Sequence, residues 1–110
     1  MQRTATPSGT ADKQTAKAVE STMRDALALR AFLVVAEEGN FTRAAGRLHV
    51  HTATVSRLVS GLEAALGVQL LDRTTRRASL TAAGAALLVP AGKALAALQL
   101  LADISQSIGS

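Results

Sequence analysis

Residues 41–60, FTRAAGRLHVHTATVSRLVS, constrain the fold of this chain more than any other stretch, because two short helical patterns meet there across a tight turn. In the second pattern Val55, Leu58, Leu62 and Leu66 recur at steps of three and four, the spacing that stacks side chains along one helix face. Ala53, Ser56, Arg57 and Ser60 recur at the same steps on the opposite face. One face asks for a core; the other offers short hydrogen-bonding groups and one long cation. In the first pattern Thr42 can cap a helix whose adjacent small residues, Ala44 and Ala45, permit a crossing helix to come close. Leu48 and Val50 bracket the turn with apolar anchors. The arrangement reads as a helix-turn-helix, with an ordinary pair of amphipathic helices in a small bundle as the alternative.

The polar face of the second helix suits a DNA major groove: small residues let the backbone approach, and a guanidinium reaches past them to a phosphate or an acceptor pair. Charge agrees. The 110 residues carry a net charge of +4, and between residues 43 and 77 six arginines stand against only Glu63 and Asp72, which holds the whole excess. A solvated basic face without a ligand is the bland alternative. The chain has no cysteine, which excludes disulfides, thiol catalysis and zinc-thiolate sites. His49 and His51 have no carboxylate or cysteine cluster beside them and read as turn residues rather than metal ligands. With no tryptophan or tyrosine, Phe32 and Phe41 are the only aromatic rings, so stacking on single-stranded bases is disfavoured.

Taken in order, residues 1–25 form a flexible N-terminal extension, rich in small and polar residues, with a helical tendency from Ala11. Its charges nearly cancel, which favours a plain extension over a minor-groove arm. Residues 26–81 make the domain proper. Its first helix, residues 26–38, puts Leu29, Phe32, Leu33 and Ala36 on one face and should bury Phe32 against the helix-turn-helix, while Gly39 and Asn40 end it. Phe41 plugs the start of the next helix. After the groove-facing helix, Gly67 supplies a stop, residues 68–71 read as a short strand, and residues 78–80 as a second; the loop between them holds Arg73, Thr74, Thr75, Arg76 and Arg77. Two strands joined by an arginine-rich loop make a wing able to reach phosphates or the minor groove. Thr81 can cap a last helix from residue 82 to about 106, in a segment spanning residues 82–110. Leu88, Ala91, Leu95, Leu98 and Ala102 keep a heptad-like seam, broadened by Leu87, Leu100, Leu101 and Ile104 beyond what one small domain covers, so the helix asks for a partner. Pro90, Lys93, Gln99 and Asp103 within it argue against a membrane span, and Pro90 should kink or loosen it. The fold class is mainly α: a winged helix-turn-helix of three helices and a two-stranded wing, followed by a long C-terminal dimerisation helix.

From residue 31 to residue 84 the run AFLVVAEEGNFTRAAGRLHVHTATVSRLVSGLEAALGVQLLDRTTRRASLTAAG resembles the N-terminal winged helix-turn-helix of the LysR-type transcriptional regulators. The landmarks are Phe32, Ala36, Gly39, Phe41, Thr42, Ala44, Ala45, Leu48, Val50, Ser56, Leu62, Glu63, Leu66, Gly67, Leu70, Arg73, Leu80, Thr81 and Gly84. The resemblance covers residues 27–84, and the apolar helix that follows looks like the family's linker helix. It implies a dimer held by antiparallel linker helices, each subunit placing the helix after the turn into one half-site of an imperfect palindrome of double-stranded DNA. Carried over by position, Thr52, Ala53, Ser56 and Arg57 face the groove with Thr54 beside them, Thr42 and Arg43 lie near the backbone, and Arg73, Thr74, Arg76 and Arg77 belong to the wing. Leu87, Leu88, Ala91, Leu95, Leu98, Leu101 and Ala102 are the dimerisation candidates. The chain departs from the family's usual Ser-Gln-Pro or Ser-Gln-Ser at His51, Thr52 and Ala53: a base-reading amide is missing, Thr52 is left to cap, and His51 is left to contact phosphate. Ala82 replaces a glutamate usual after Thr81.

These features lead to a sequence-specific, cytoplasmic DNA-binding regulator, bacterial in type, without cofactor, metal, membrane contact or catalysis. The two-lobed inducer-binding domain of the family is not represented in residues 1–110, so no small-molecule inducer site is expected here. Met23 followed by RDALALRAF resembles a family start and is a candidate initiation site. The alternative function is an interaction module whose long helix forms mixed dimers with full-length relatives and modulates them. An enzyme is disfavoured, because no carboxylate pair, reactive thiol or glycine-rich phosphate loop is present.

Overall fold

The computed structural model describes residues 8–74 and 77–109. Four helices and one hairpin follow in the order α1 (Ser8–Glu38), α2 (Phe41–Leu48), α3 (Thr52–Leu66), β1 (Leu71–Arg73), β2 (Ala78–Leu80) and α4 (Ala82–Gly109). The result is a winged helix-turn-helix carried on two long helices, 56 × 27 × 21 Å in extent.

Helix α1 is the hub, packing against α2, α3, α4 and β2. Ala31, Phe32 and Val35 are fully buried and Ala28 and Val34 nearly so. The buried arc is therefore centred on Ala28, Ala31, Phe32 and Val35 rather than on the expected Leu29, Phe32, Leu33 and Ala36, since a helix enclosed by several elements buries more than one stripe. The expected burial of Phe32 holds. Residues 1–7 lie outside the described residues, but from Ser8 the extension is helix and runs into α1 without a break. The helical tendency expected from Ala11 is thus a helix that begins three residues earlier. Its alanine, lysine, glutamine and glutamate residues have good helix propensity, and a helix already anchored by its C-terminal half can propagate backward without a new nucleus.

Helix α1 stops at Gly39, whose φ of +68° is left-handed and whose amide donates to the Val35 carbonyl at 2.7 Å. Asn40 then starts α2: its Oδ1 accepts from the Arg43 amide at 2.8 Å. The N-cap is thus Asn40, and Thr42, expected to cap, sits exposed in the first turn. Ala44 and Ala45 are buried against the crossing helix. At the far end of α2, His49 adopts φ +58°, a left-handed turn that histidine enters more easily than branched residues do. Leu48 and Val50 pack on the core on either side of it. His51 occupies the N-cap position of α3 without a side-chain bond, and Thr52 is the first helical residue rather than the expected cap.

In α3 the fully buried pair is Val55 and Val59, with Leu58 and Leu62 partly buried and Leu66 half exposed. Val59 is enclosed in the core, and Leu66, expected on the buried face, is not. Gly67 ends the helix at φ +73°, and both its amide and that of Val68 turn back to the Glu63 carbonyl. With those amides committed to the helix stop, pairing begins at Leu71 and not at residue 68. The hairpin pairs Leu71 with Leu80, Asp72 with Ser79 and Arg73 with Ala78, antiparallel.

Thr81 joins the wing to α4. Its hydroxyl donates to the Gln69 carbonyl at 2.6 Å and accepts from the Gly84 amide at 2.9 Å, and its own amide donates to Leu70 at 3.0 Å. The expected cap at Thr81 is present. Gly84 is buried against the same segment: a Cβ there would collide with the Leu70 carbonyl oxygen and crowd Leu80 at 3.0 Å. Helix α4 then passes through Pro90 to Gly109. Leu87, Leu88 and Ala91 pack inward on the core, and Leu95, Leu98 and Ala102 are partly buried. Of the heptad-like seam expected to meet a partner, Leu88 and Ala91 lie on this chain's own core and Leu98 and Ala102 line the groove beside α1, whereas the broadening residues Leu100, Leu101 and Ile104 face outward. A periodic apolar stripe accepts any helix of matching face, and α1 is the nearest. The outward face carries Val89, Leu100, Leu101, Ile104 and Ile108, and the helix is long and apolar enough, by length and composition alone, to cross a membrane.

Gly84→Ala should lower the unfolding free energy by about 1–3 kcal/mol in urea titrations, since the backbone oxygen it meets cannot rotate away. Gly92→Ala, at a helical position with nothing within 4 Å, should be neutral or stabilise by up to about 1 kcal/mol.

Candidate nucleic-acid interface

The polar face of α3 stands beside the wing. Thr52, Ala53, Arg57 and Ser60 are exposed, and Thr54 and Ser56 are partly so. Arg57 makes no ion pair or side-chain hydrogen bond among the described residues, so its guanidinium keeps all five donors. His51 lies exposed at the head of the same helix.

Arg73, expected in the loop between the strands, is the last residue of β1 and so belongs to the wing. Its side chain turns toward α3, where Nη1 donates to Ser56 Oγ at 3.0 Å and Nη2 donates to Ser60 Oγ at 3.2 Å and Glu63 Oε1 at 3.3 Å. Its guanidinium carbon lies 4.7 Å from the centre of the Phe41 ring, so the cation also rests on an aromatic face. The strand holding Arg73 is directed by Glu63, whose Oε2 accepts from the Leu70 and Leu71 amides at 2.8 and 3.2 Å. The Glu63 side chain is only 16% exposed. One carboxylate thus fixes where the wing leaves α3 and anchors the arginine that returns to it. Ser60, named from the sequence only as part of the polar face, and Glu63, not a site candidate there, complete this cluster. The signal was available: Glu63 is one of two carboxylates in a segment of six arginines.

At the wing tip Thr74 and Arg77 face each other. The Thr74 amide donates to the Arg77 carbonyl at 2.8 Å and the Arg77 amide to Thr74 Oγ1 at 3.0 Å. Both residues are exposed, and the Arg77 guanidinium has no ion-pair partner among the described residues. Thr75 and Arg76 lie outside the described residues, the wing candidate Arg76 among them. Behind the tip, the Ala78 amide donates to the Gly39 carbonyl at 3.0 Å, which ties the wing to the start of α2. A cleft of about 560 Å³ opens between them, lined by Arg43, Thr74, Arg77, Asn40 and Glu38. Thr42 and Arg43 are both exposed on the first turn of α2.

The basic segment is less free than its sequence implies. Arg43 lies 3.6 Å from Glu38, and Arg47 donates to Glu37 and Glu38 at 2.7 and 3.0 Å. The hydrogen bond to Glu37, followed by that to Glu38, raises the Arg47 pKa above the ordinary arginine value. These carboxylates at the end of α1, with Glu63, engage three of the five described arginines in the segment. Arg57 on α3 and Arg77 on the wing remain as the unpaired cations. No group of histidine and carboxylate side chains among the described residues is arranged to hold a metal ion.

Residues 27–85 match the model of the family described as bacterial regulatory helix-turn-helix proteins, lysR family. The HTH-type transcriptional activator AllS of Salmonella typhimurium is 49% identical over 81 residues, 74% of this chain and 26% of AllS. The HTH-type transcriptional regulator ClcR of Pseudomonas putida is 48% identical over 67 residues, 61% of this chain and 23% of ClcR. The chain spans about a quarter of the length of these curated relatives. Among solved structures, a complex of the CbnR DNA-binding domain with DNA superposes with a TM-score of 0.67 at 41% identity, covering 77% of this chain and 98% of that one. A complex of the BenM DNA-binding domain with its catB site 1 DNA gives 0.64 at 34% identity, covering 77% and 96%.

Glu63→Ala would leave the Leu70 and Leu71 amides without their acceptor and release Arg73. It should cost about 1–3 kcal/mol in chemical denaturation and speed amide exchange at Leu70 and Leu71, while the Val35 and Val59 amides in helix interiors keep their protection relative to global unfolding.

Proposed function

Because the chain belongs to the lysR family of bacterial regulatory helix-turn-helix proteins, we propose that it binds double-stranded DNA as a transcriptional regulator, with α3 in the major groove and the wing beside it. The observation that carries this reading is the pairing of surfaces: a ridge of short side chains on α3 headed by the unpaired Arg57, and an exposed wing tip with the unpaired Arg77. Short side chains permit close approach to base edges, and a guanidinium with all its donors available can engage an acceptor pair on guanine or a phosphate. Ser56, Thr52 and Arg57 supply discrimination, while Arg43, Thr42 and Arg77 hold the backbone. Support comes from the CbnR complex, in which a DNA-binding domain of similar shape is bound to DNA.

The outward face of α4 completes the proposal. Val89, Leu100, Leu101, Ile104 and Ile108 are all at least 49% exposed, an apolar stripe that a second copy of the helix would cover. Two copies joined in this way present two groove-facing helices to an imperfect palindrome. Leu101 carries the dimer contact expected of it; the more inward Leu87, Leu88 and Ala91 support the helix from behind. Such a protein acts where the chromosome is, in the cytoplasm. The same stripe would serve mixed dimers with longer relatives, a reading that needs no duplex binding by the domain itself.

Selection of duplexes from a random pool, followed by titration at several salt concentrations, tests the proposal; absence of duplex binding at low ionic strength would refute it. Arg57→Ala should cost about 1–3 kcal/mol on the selected duplex and flatten preference at one or two positions. Arg77→Ala should weaken all duplexes nearly equally and reduce the slope of log K against log salt by about 0.9. Ile104→Glu should shift the protein to monomer in sedimentation equilibrium without changing its helical content.

A further inference from the structure

Ser56 and Ser60 stand one turn apart on α3, and both hydroxyl oxygens accept from the same guanidinium, that of Arg73. Neither hydroxyl donates to an acceptor among the described residues. A serine hydroxyl has one proton to give and two lone pairs. Free in solution it pairs with donors and acceptors alike, so a serine on a reading helix discriminates poorly. Here a cation occupies one lone pair of each oxygen, which weakens the oxygen as an acceptor for a further donor and polarises the remaining O–H toward donation.

The guanidinium is itself held in place. Glu63 accepts from Nη2, the Phe41 ring lies beneath it, and the Arg73 backbone is fixed by its pairing with Ala78. Glu63 is in turn fastened to the Leu70 and Leu71 amides. The orientation of the two hydroxyls therefore follows from the wing's attachment to α3.

Resting on the duplex-binding reading above, we propose that Arg73 is a positioning residue which sets Ser56 and Ser60 as hydrogen-bond donors, so that this ridge selects acceptor edges, namely purine N7, in the major groove. Purine N7 is an acceptor present on both guanine and adenine, and the exocyclic amino groups of adenine and cytosine, which require an acceptor on the protein, are disfavoured opposite these two serines.

The test uses the full chain and the duplex it selects from a random pool. Each purine is replaced in turn by its 7-deaza analogue, which removes N7 and leaves the Watson–Crick edge intact. Loss of one such contact should weaken binding about five-fold at one or two purines, and Ser56→Ala or Ser60→Ala should be insensitive to the same replacement. Arg73→Met should lose the N7 sensitivity at those purines while keeping the sequence preference that depends on Arg57. Arg73→Lys, able to donate to one serine at a time, should keep part of it. Circular dichroism and thermal unfolding identify any variant that fails to fold; Ser56→Ala and Ser60→Ala each remove one acceptor of Arg73 and leave its Glu63 and Phe41 contacts in place, so they test the donor role with the wing still anchored. The proposal is overturned if no purine couples to either serine, if the serines respond only to methylphosphonate replacement of the backbone, or if folded Arg73→Met retains full N7 sensitivity. Failure to bind any duplex would refute the functional reading itself.

Discussion

The wing depends on a single carboxylate. Strands of three residues cannot sustain a sheet alone, and this hairpin has only two of them. The segment entering it buries the Leu70 and Leu71 side chains completely, which takes their amides away from water as well. A buried amide must find an acceptor or destabilise the fold. Glu63 provides one for both, from the last turns of α3. The wing therefore has a defined angle to the helix it flanks, and the same carboxylate, through Arg73, reaches the hydroxyl ridge of that helix. Thr81 and the Gly39–Ala78 backbone bond fix the other side of the hairpin to α4 and to the start of α2.

A second constraint is the shortage of large side chains. With two phenylalanines and no tryptophan or tyrosine, the core is made by bringing backbones close rather than by filling space with rings. Ala28, Ala31, Ala44, Ala45, Ala78 and Ala91 are all buried, and Gly84 lies where even a methyl group would not fit. Close packing of this kind is intolerant of added volume. It also explains how α2, only eight residues long, stays in register: both of its neighbouring alanines are enclosed, and Asn40 and His49 terminate it at either end.

Much of this was legible in the sequence. The apolar spacing of residues 41–66 gave the two helices and the turn, glycines 39 and 67 marked real stops, and Thr81 marked a real cap. What escaped were choices between competing local partners. Thr42 and Asn40 can both cap α2, and Asn40 does so because Gly39 ends α1 immediately before it. Leu66 and Val59 both fit an apolar period, and only the packed core shows that Val59 is the one enclosed. The seam of α4 has the right spacing for a partner helix, but spacing does not say which chain supplies it, and α1 of the same chain takes the inner half. Arg73 does lie in the wing, but no spacing in the sequence says that its side chain turns back to α3; that follows from Glu63, ten residues earlier and on another element.

The division of the arginines has a consequence for how such a surface can discriminate. Six arginines in one segment would bind any polyanion, and a strong uniform attraction masks differences between sequences. Glu37, Glu38 and Glu63 engage Arg43, Arg47 and Arg73 before any ligand arrives, so non-specific attraction is reduced without removing a single positive charge from the sequence. The exposed pairs at Arg43 and Arg47 contribute little to stability and can open toward a phosphate at small cost. Arg73, enclosed by two serines, a carboxylate and a ring, is held more firmly. Short hydroxyls and one guanidinium without a partner among the described residues are then left on the outer face of α3, and under the proposed function geometry rather than charge would decide which duplex is held.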